Sequence, residues 1–194
     1  MNKEKIALIG NSSKLLDNNY SKLIDSYDWV VRFNQARVKG FENHVGSKTS
    51  IRMINHHVFT GTTNQSFFSK YDVNFIPSVN EPLILCKYFP NFKNIAKVRN
   101  IKVPISYVSD RIYNKAYKAL NQQKTPSMGF IAIIFSLEMF EKVSIFGFEL
   151  DKKNNPSHYW EETSNMMAAQ YHDFNIENEE IKRLIKLNKV EYYG

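Results

Sequence analysis

An α/β fold is predicted by the sequence: one domain in which a mostly parallel central sheet is flanked by helices. Apolar runs of strand length alternate along the whole chain with helical or polar stretches, as crossover connections between parallel strands require. Several of these runs stop at Gly, Asn or Ser, where ligands of such sheets collect. A chain of 194 residues, 43% hydrophobic and 14% aromatic, builds one real core and is short for two. No internal repeat, low-complexity stretch or linker divides it, so residues 1–194 read as a single domain.

The first run, IALI at 6–9, ends at Gly10-Asn11-Ser12-Ser13 before a more helical pattern starts at Lys14. Glycine lets a ligand approach the backbone, Asn11 and Ser12 offer polar groups, and a helix start presents unpaired N–H groups, so phosphate is the ligand to expect. Neither GxGxxG nor GxxxxGK[ST] is present, and a plain strand-to-helix turn explains the same residues. The second run, WVVRF at 29–33, delivers Arg32, Phe33 and Asn34, so that two strand ends, each tipped by an Asn, converge on one ligand.

Residues 38–50 are polar with two glycines and read as a loop or short helix. A strand at 51–54 ends on Asn55-His56-His57, and adjacent histidines on a strand point to opposite faces, which argues against a zinc site. A turn cluster at 61–66 precedes strands at 73–76 and 83–86. The aromatic, basic stretch 88–100 has the composition of a stacking surface for single-stranded nucleic acid, but rings packed under a loop account for it better. A strand at 105–108 and a helix at 111–120 lead to a polar break at 122–124.

Pro126 and Ser127 then open a buried helix, with Ser127 as its cap and Met128 and Gly129 in its first turn. Gly129 costs up to ~1 kcal/mol there relative to Ala, and close approach of a ligand is a reason to keep it. A central strand at 143–146 leads to Gly147. Asn11, Asn34, Ser127 and Gly147 thus fall at strand ends or helix starts, which places them in one cleft. His158 sits in a polar loop beside an aromatic pair, and His172 opens a helix whose stripe Ile176, Ile181, Leu184 and Ile185 packs it beside that cleft. A lone histidine is more often packed or solvated than catalytic. Two beside an anion site point to group transfer, one facing the leaving phosphate and one removing a proton from the acceptor. Serine hydrolase chemistry lacks its GxSxG elbow, and no Asp-x-Asp pair is present to hold a divalent metal on a diphosphate.

The formal charge of +7 suits nucleic acid, an anionic membrane or an acidic small substrate, and the absence of a run of like charge removes a nucleic-acid arm. One cysteine, Cys86, permits no disulfide within the chain and indicates a reducing compartment. No apolar segment of signal-peptide length precedes the first strand and no run approaches the ~20 residues that span a bilayer, so a cytoplasmic location is expected, with at most peripheral contact to a membrane surface.

GNSSKLL followed by VVRFNQARV resembles the large sialylmotif of glycosyltransferase family 29. TPSMGFIAIIFSLEMFEKVSIFGF resembles the small motif, His158-Tyr159-Trp160-Glu161 the third, and His172-x4-Glu177 the very small one, all in the family's order. The resemblance implies a Rossmann-like, GT-A-variant sialyltransferase that moves sialic acid from CMP-sialic acid to a glycan hydroxyl with inversion and without a metal or other cofactor. It implies that Asn11 and Asn34 contact the phosphate and ribose, that Ser127, Met128 and Gly129 bind the nucleotide, and that Gly147 lies against the cytidine. His158 would stabilise the departing phosphate, His172 would be the general base and Glu177 would orient its helix, while Arg32 receives no role beyond a structural or charge-pairing one. The disulfide that joins the large and small motifs in animal members is replaced here by Ile6 and Phe140, and a minimal, bacterial member is expected, with lipooligosaccharide or capsule among its acceptors. Family 42 shares an early Gly-Asn turn and a late histidine but fits PSMG and HYWE less well. Another CMP-activated acidic sugar, Kdo or pseudaminic acid, remains an alternative donor, and a basic nucleotide or nucleic-acid binding module without catalysis is the alternative of another class.

Overall fold

The computed structural model describes residues 4–60, 81–85, 90–151, 158–160 and 172–194. The strand expected at 73–76, and Cys86, lie outside the described residues. Seven strands form one sheet: β1 (Ile6–Ile9), β2 (Trp29–Phe33), β3 (Ile51–Ile54), β4 (Leu83–Leu85), β5 (Ile105–Tyr107), β6 (Val143–Phe146) and β7 (Val190–Tyr193). Their spatial order is β5-β4-β3-β2-β1-β6-β7, and every neighbouring pair is parallel. All carboxyl ends therefore lie along one edge. The chain steps outward from β1 to β5 and then returns to the other side of β1 with β6, so its order reverses between β1 and β6.

Buried parallel strands need apolar side chains on both faces, which is why IALI and VSIF read as unbroken runs and are buried throughout. One face carries α5 (Asp110–Ala119), α6 (Met128–Ser136) and α7 (Phe174–Lys186), whose Ile112, Phe130, Ile133 and Ile181 pack on Leu8, Val31, Met53 and Ile145. The other face carries a 3-10 helix (Ser13–Asp17), α1 (Ser21–Asp25) and α2 (Glu42–Val45), with Leu15, Ile24 and Val45 on Ala7, Ile9, Val30 and Phe146. Further along that sheet, α3 (His56–Thr60) and α4 (Phe92–Val98) bring Val58, Phe59 and Ala96 to Ile54, Leu83 and Leu85. Apolar all round, α6 is buried at six of its nine positions, as a helix without a polar face must be.

Several expectations need correction. His56 and His57 are not on a strand: Asn55 Oδ1 accepts Val58 N–H at 2.8 Å and starts α3, where the two rings meet edge-on at 5.6 Å. Asp173 rather than His172 caps α7, accepting from Asn175 and Ile176 N–H, so the helix begins at Phe174. The strand β7 has no counterpart among the runs read from the sequence, because Val190-Glu191-Tyr192-Tyr193 is short and charged and follows a helix closely. It is held by Phe146 and Tyr193 stacked at 4.4 Å.

Arg32, fully buried in β2, has the structural role expected of it. Its Nη2 donates to the carbonyls of Val45 (2.7 Å), Lys48 (2.9 Å) and Gly46 (3.1 Å), and its Nε donates to Thr49 Oγ1 (3.0 Å) and Lys48 O (3.2 Å). Burial draws the guanidinium down to about 10, with nearby Tyr159 opposing. This side chain ties the 45–49 loop to the sheet beneath the carboxyl edge. Arg32→Met leaves those carbonyls without a donor and is expected to lower the unfolding free energy by roughly 2–4 kcal/mol, read as a lower urea midpoint at unchanged slope.

Candidate functional site

The ends of β1 and β6 are locked together by backbone alone. Gly10 N–H donates to Phe146 O at 2.7 Å and Ser12 N–H to Gly147 O at 3.2 Å. A Cβ at Gly10 would lie 2.3 Å from Gly147 O, so the contact between strand ends by itself requires a glycine here. Gly147 has φ +65° and its missing Cβ would strike Leu15, so it can face a ligand only through its backbone. A Cβ at Gly129 would come within 2.9 Å of Phe148, so the small residue also makes room for a ring of the protein. Met128 packs against the core beside it.

Around this lock the expected residues fall into two linked groups. In the first, Asn11 O accepts Tyr159 N–H at 2.9 Å and Ser12 pairs with His158 in an antiparallel bridge, which delivers His158 to the end of β1. The imidazole stacks on Trp160 at 4.6 Å. Buried Tyr159 donates its hydroxyl to Arg37 O and sets its ring edge-on to Phe41 at 5.1 Å, and burial pushes the phenol up to about 12. Asn11 Oδ1 is buried with no hydrogen-bond partner among the described residues, the kind of vacancy that a donor group on a ligand satisfies.

In the second group, Ser127 caps α6 by accepting Phe130 N–H at 3.2 Å, and its own N–H and hydroxyl donate to the two oxygens of Glu177 at 2.6 and 2.5 Å. Glu177 thereby bolts α7 to the start of α6. Its carboxyl is raised to about 7 by burial, against the lowering pull of the Ser127 bonds. His172 Nδ1 lies 2.7 Å from Thr125 O. A carbonyl only accepts, so Nδ1 carries the hydrogen and Nε2 of the neutral ring is left as an acceptor. Burial holds this imidazole below its ordinary value, the Thr125 bond opposing and Lys124 adding to the effect.

The two groups are connected through Glu149: Ser12 Oγ donates to its carboxylate, and Asn178 Nδ2 of α7 donates to its backbone carbonyl at 3.0 Å. Asn34 stands apart toward β3. With φ +48°, it spends its N–H on Met53 O (2.8 Å), its Oδ1 accepts Asn55 N–H (3.0 Å) and its carbonyl accepts from Arg52 Nη1 (2.8 Å), so that Nδ2 is the donor left for a ligand acceptor. Arg52, which the sequence reading passed over, is 3% exposed, pairs in register with Arg32, and holds Glu81 at 2.6 Å. An arginine inside an otherwise apolar strand was the available signal. Glu149 was missed as well, because nothing near it in sequence marks a carboxylate as facing β1.

At the opposite edge a cavity of about 1090 Å³ opens among strand starts, and Ile6 and Phe140, expected to stand where animal relatives carry a disulfide, both line it. Among the described residues no three of His, Cys, Asp and Glu gather as metal ligands, and no helix is long and apolar enough to cross a membrane.

The family model described as Glycosyltransferase family 29 (sialyltransferase) matches residues 2–189. Among curated proteins, CMP-N-acetylneuraminate-beta-galactosamide-alpha-2,3-sialyltransferase 2 of Mus musculus is 31% identical over 97% of this chain and 56% of its own length. Beta-1,6-galactosyltransferase GALT29A of Arabidopsis thaliana is 27% identical over 88% of this chain and 48% of its own. The crystal structure of a mammalian sialyltransferase in complex with Gal-beta-1-3GalNAc-ortho-nitrophenol superimposes with a TM-score of 0.73 at 25% identity, covering 98% of this chain and 69% of that one. The chain spans about half the length of the curated relatives it matches.

Because Glu177 is raised from 4.5 to about 7 in the folded state, the native protein holds a proton through that window that the unfolded chain has lost. Stability is therefore fully present below about pH 4.5 and falls as pH rises to about 7, by roughly 3 kcal/mol from this group. Urea midpoints across the window are expected to show that decline in the wild type and a flatter dependence in Glu177→Gln.

Proposed function

The chain belongs to glycosyltransferase family 29, and from that premise we propose that it transfers sialic acid from CMP-sialic acid to a hydroxyl of a glycan, with inversion and without a metal ion. The observation that carries this reading is the bond between His172 Nδ1 and Thr125 O, which leaves Nε2 free to act as a base. The acceptor hydroxyl gives its proton to His172 Nε2 as its oxygen attacks the anomeric carbon. The bond from that carbon to the phosphate oxygen breaks on the opposite side, and its electron pair goes to the departing CMP, where His158 meets the growing charge as a donor. Asn11 and Asn34 hold the phosphate and ribose region, the start of α6, anchored by Ser127 on Glu177, offers the backbone N–H groups of Met128 and Gly129 to the nucleotide, and Gly147 lies against the cytidine.

A donor with a single phosphate needs less charge compensation than a diphosphate, and the sequence has no Asp-x-Asp pair, which supports a metal-free reaction. Residues 1–194 act as one catalytic domain in this reading, cytoplasmic and in peripheral contact with a membrane through basic residues, with lipooligosaccharide or capsule as acceptors to test beside Gal-beta-1-3GalNAc. One relative is named a galactosyltransferase, so an activated galactose, probed as UDP-galactose, is the competing donor.

Release of CMP from CMP-sialic acid in the presence of Gal-beta-1-3GalNAc tests the reading. His172→Ala is expected to lower turnover by about 10²- to 10⁴-fold, and turnover of UDP-galactose in place of CMP-sialic acid overturns the donor assignment. Since burial lowers His172, the rising limb of kcat/KM against pH should have its midpoint below about 6.5 and disappear in His172→Ala. EDTA is expected to leave the rate unchanged; a rate lost in EDTA and restored by Mn²⁺ contradicts the metal-free step.

A further inference from the structure

We propose that the Glu149 carboxylate, clamped by Ser12, is the acceptor that reads the ribose hydroxyls of the donor nucleotide; this rests on the CMP-donor reading above. The sequence places Ser12 itself among the donor contacts. A hydroxyl has a single proton, however, and that of Ser12 goes to Glu149 Oε1. The Ser12 oxygen meanwhile accepts Lys14 N–H at 3.2 Å, and the residue is 3% exposed. Ser12 has no proton left for a phosphate oxygen, so its side chain acts by holding Glu149.

Glu149 follows β6 by three residues and faces the end of β1 across the gap where strand order reverses. It is fixed from both sides: its carboxylate by Ser12, its backbone carbonyl by Asn178 of α7 at 3.0 Å. The bonds from Gly10 to Phe146 and from Ser12 to Gly147 keep the two strand ends at a constant separation beneath it. Open parallel sheets seat nucleotides at this reversal point, and a carboxylate beside it accepts hydrogen bonds from ribose hydroxyls. The chemistry selects the diol. An ionised carboxylate is an acceptor only, it repels phosphate, and on a CMP-sugar the ribose hydroxyls are donors without charge. Glu149 thereby also fixes the polarity of the donor, with ribose at the β1/β6 gap and the phosphate turned away from the carboxylate.

Isothermal titration with CMP, 2′-deoxy-CMP and 3′-deoxy-CMP tests this on the wild type, Glu149→Ala and Ser12→Ala. Wild type is expected to bind CMP about tenfold to a hundredfold more tightly than at least one of the deoxy analogues. Glu149→Ala should bind all three alike at the weaker affinity, and Ser12→Ala should narrow the ratio because the clamp is gone while the carboxylate remains. If Glu149→Ala fails to fold, Glu149→Gln keeps the volume, and its ratio should fall with an unchanged melting curve. Equal affinity of the wild type for all three, or a ratio that survives loss of the carboxylate, overturns the proposal. A parallel loss of all three ligands in Ser12→Ala overturns the clamp and returns Ser12 to the phosphate. Titration with UMP and 2′-deoxy-UMP separates the premises: a wild type that discriminates these and ignores CMP keeps the role of Glu149 and removes the cytidine donor, and one that binds no nucleotide removes both.

Discussion

Every functional feature described above depends on the backbone contact between the ends of β1 and β6. Gly10 N–H reaches Phe146 O at 2.7 Å only because Gly10 carries no side chain, while the missing Cβ of Gly147 leaves room for Leu15 beside it. That contact sets the width of the gap where the strand order reverses, and from it hang Ser12, Glu149 and, through the bridge to Ser12, His158. Because all seven strands are parallel, the same edge also receives the end of β2, with Asn34, and the end of β3, with Asn55. The helices then have one task each: α6 presents its capped start to this edge, and α7, bolted to it through Glu177 and Ser127, brings in His172.

The sheet was legible where its strands are buried on both faces, since an unbroken run such as IALI or VSIF has few other uses in a chain of this length. Strands were misread at the margins, where burial stops deciding. β7 lies at the sheet edge and carries a glutamate and two half-buried tyrosines, and Asn55 ended β3 by capping a helix, a local competition that an apolar pattern does not register. Of the candidate site, the positions were legible and the partners were not. Asn11, Ser12 and Gly147 could be placed at strand ends and Ser127 at a helix start from sequence alone, yet the contacts that fix their surroundings come from far along the chain, 137 positions for Ser12 to Glu149 and 50 for Ser127 to Glu177. The glycines show the same limit: Gly10 and Gly129 were correctly marked as places that exclude a Cβ, and only packing reveals that a backbone and a phenyl ring fill the space.

Charge is distributed by depth. Two arginines, Arg32 and Arg52, lie side by side in register beneath the carboxyl edge, where Nε and Nη2 of Arg32 donate to loop oxygens and Arg52 donates to the carbonyls of Asn34 and Ala36 and to Glu81. They are framework cations: each turns backbone carbonyls that a loop would otherwise expose to water into a dry, ordered floor. The formal net charge of +7 favours anionic partners at long range, while these buried cations tie the 34–49 region to the sheet.

The seam between α6 and α7 makes one physical condition serve two ends. Desolvation there opposes every charged form, so it lowers His172 and raises Glu177 together. For His172 the neutral form is the one with a lone pair on Nε2, so the dry environment increases the fraction of protein able to take a proton near neutral pH. For Glu177 the same dryness is a cost, offset by two short donors from Ser127 at the start of a helix whose dipole favours negative charge. A wetter seam would relax Glu177 but would let His172 hold its proton, and an apolar residue at 177 would remove the bolt that keeps α7 against α6. The buried carboxyl and the depressed imidazole are consequences of a single packing choice, and the proton affinity of His172 cannot be tuned without changing the joint.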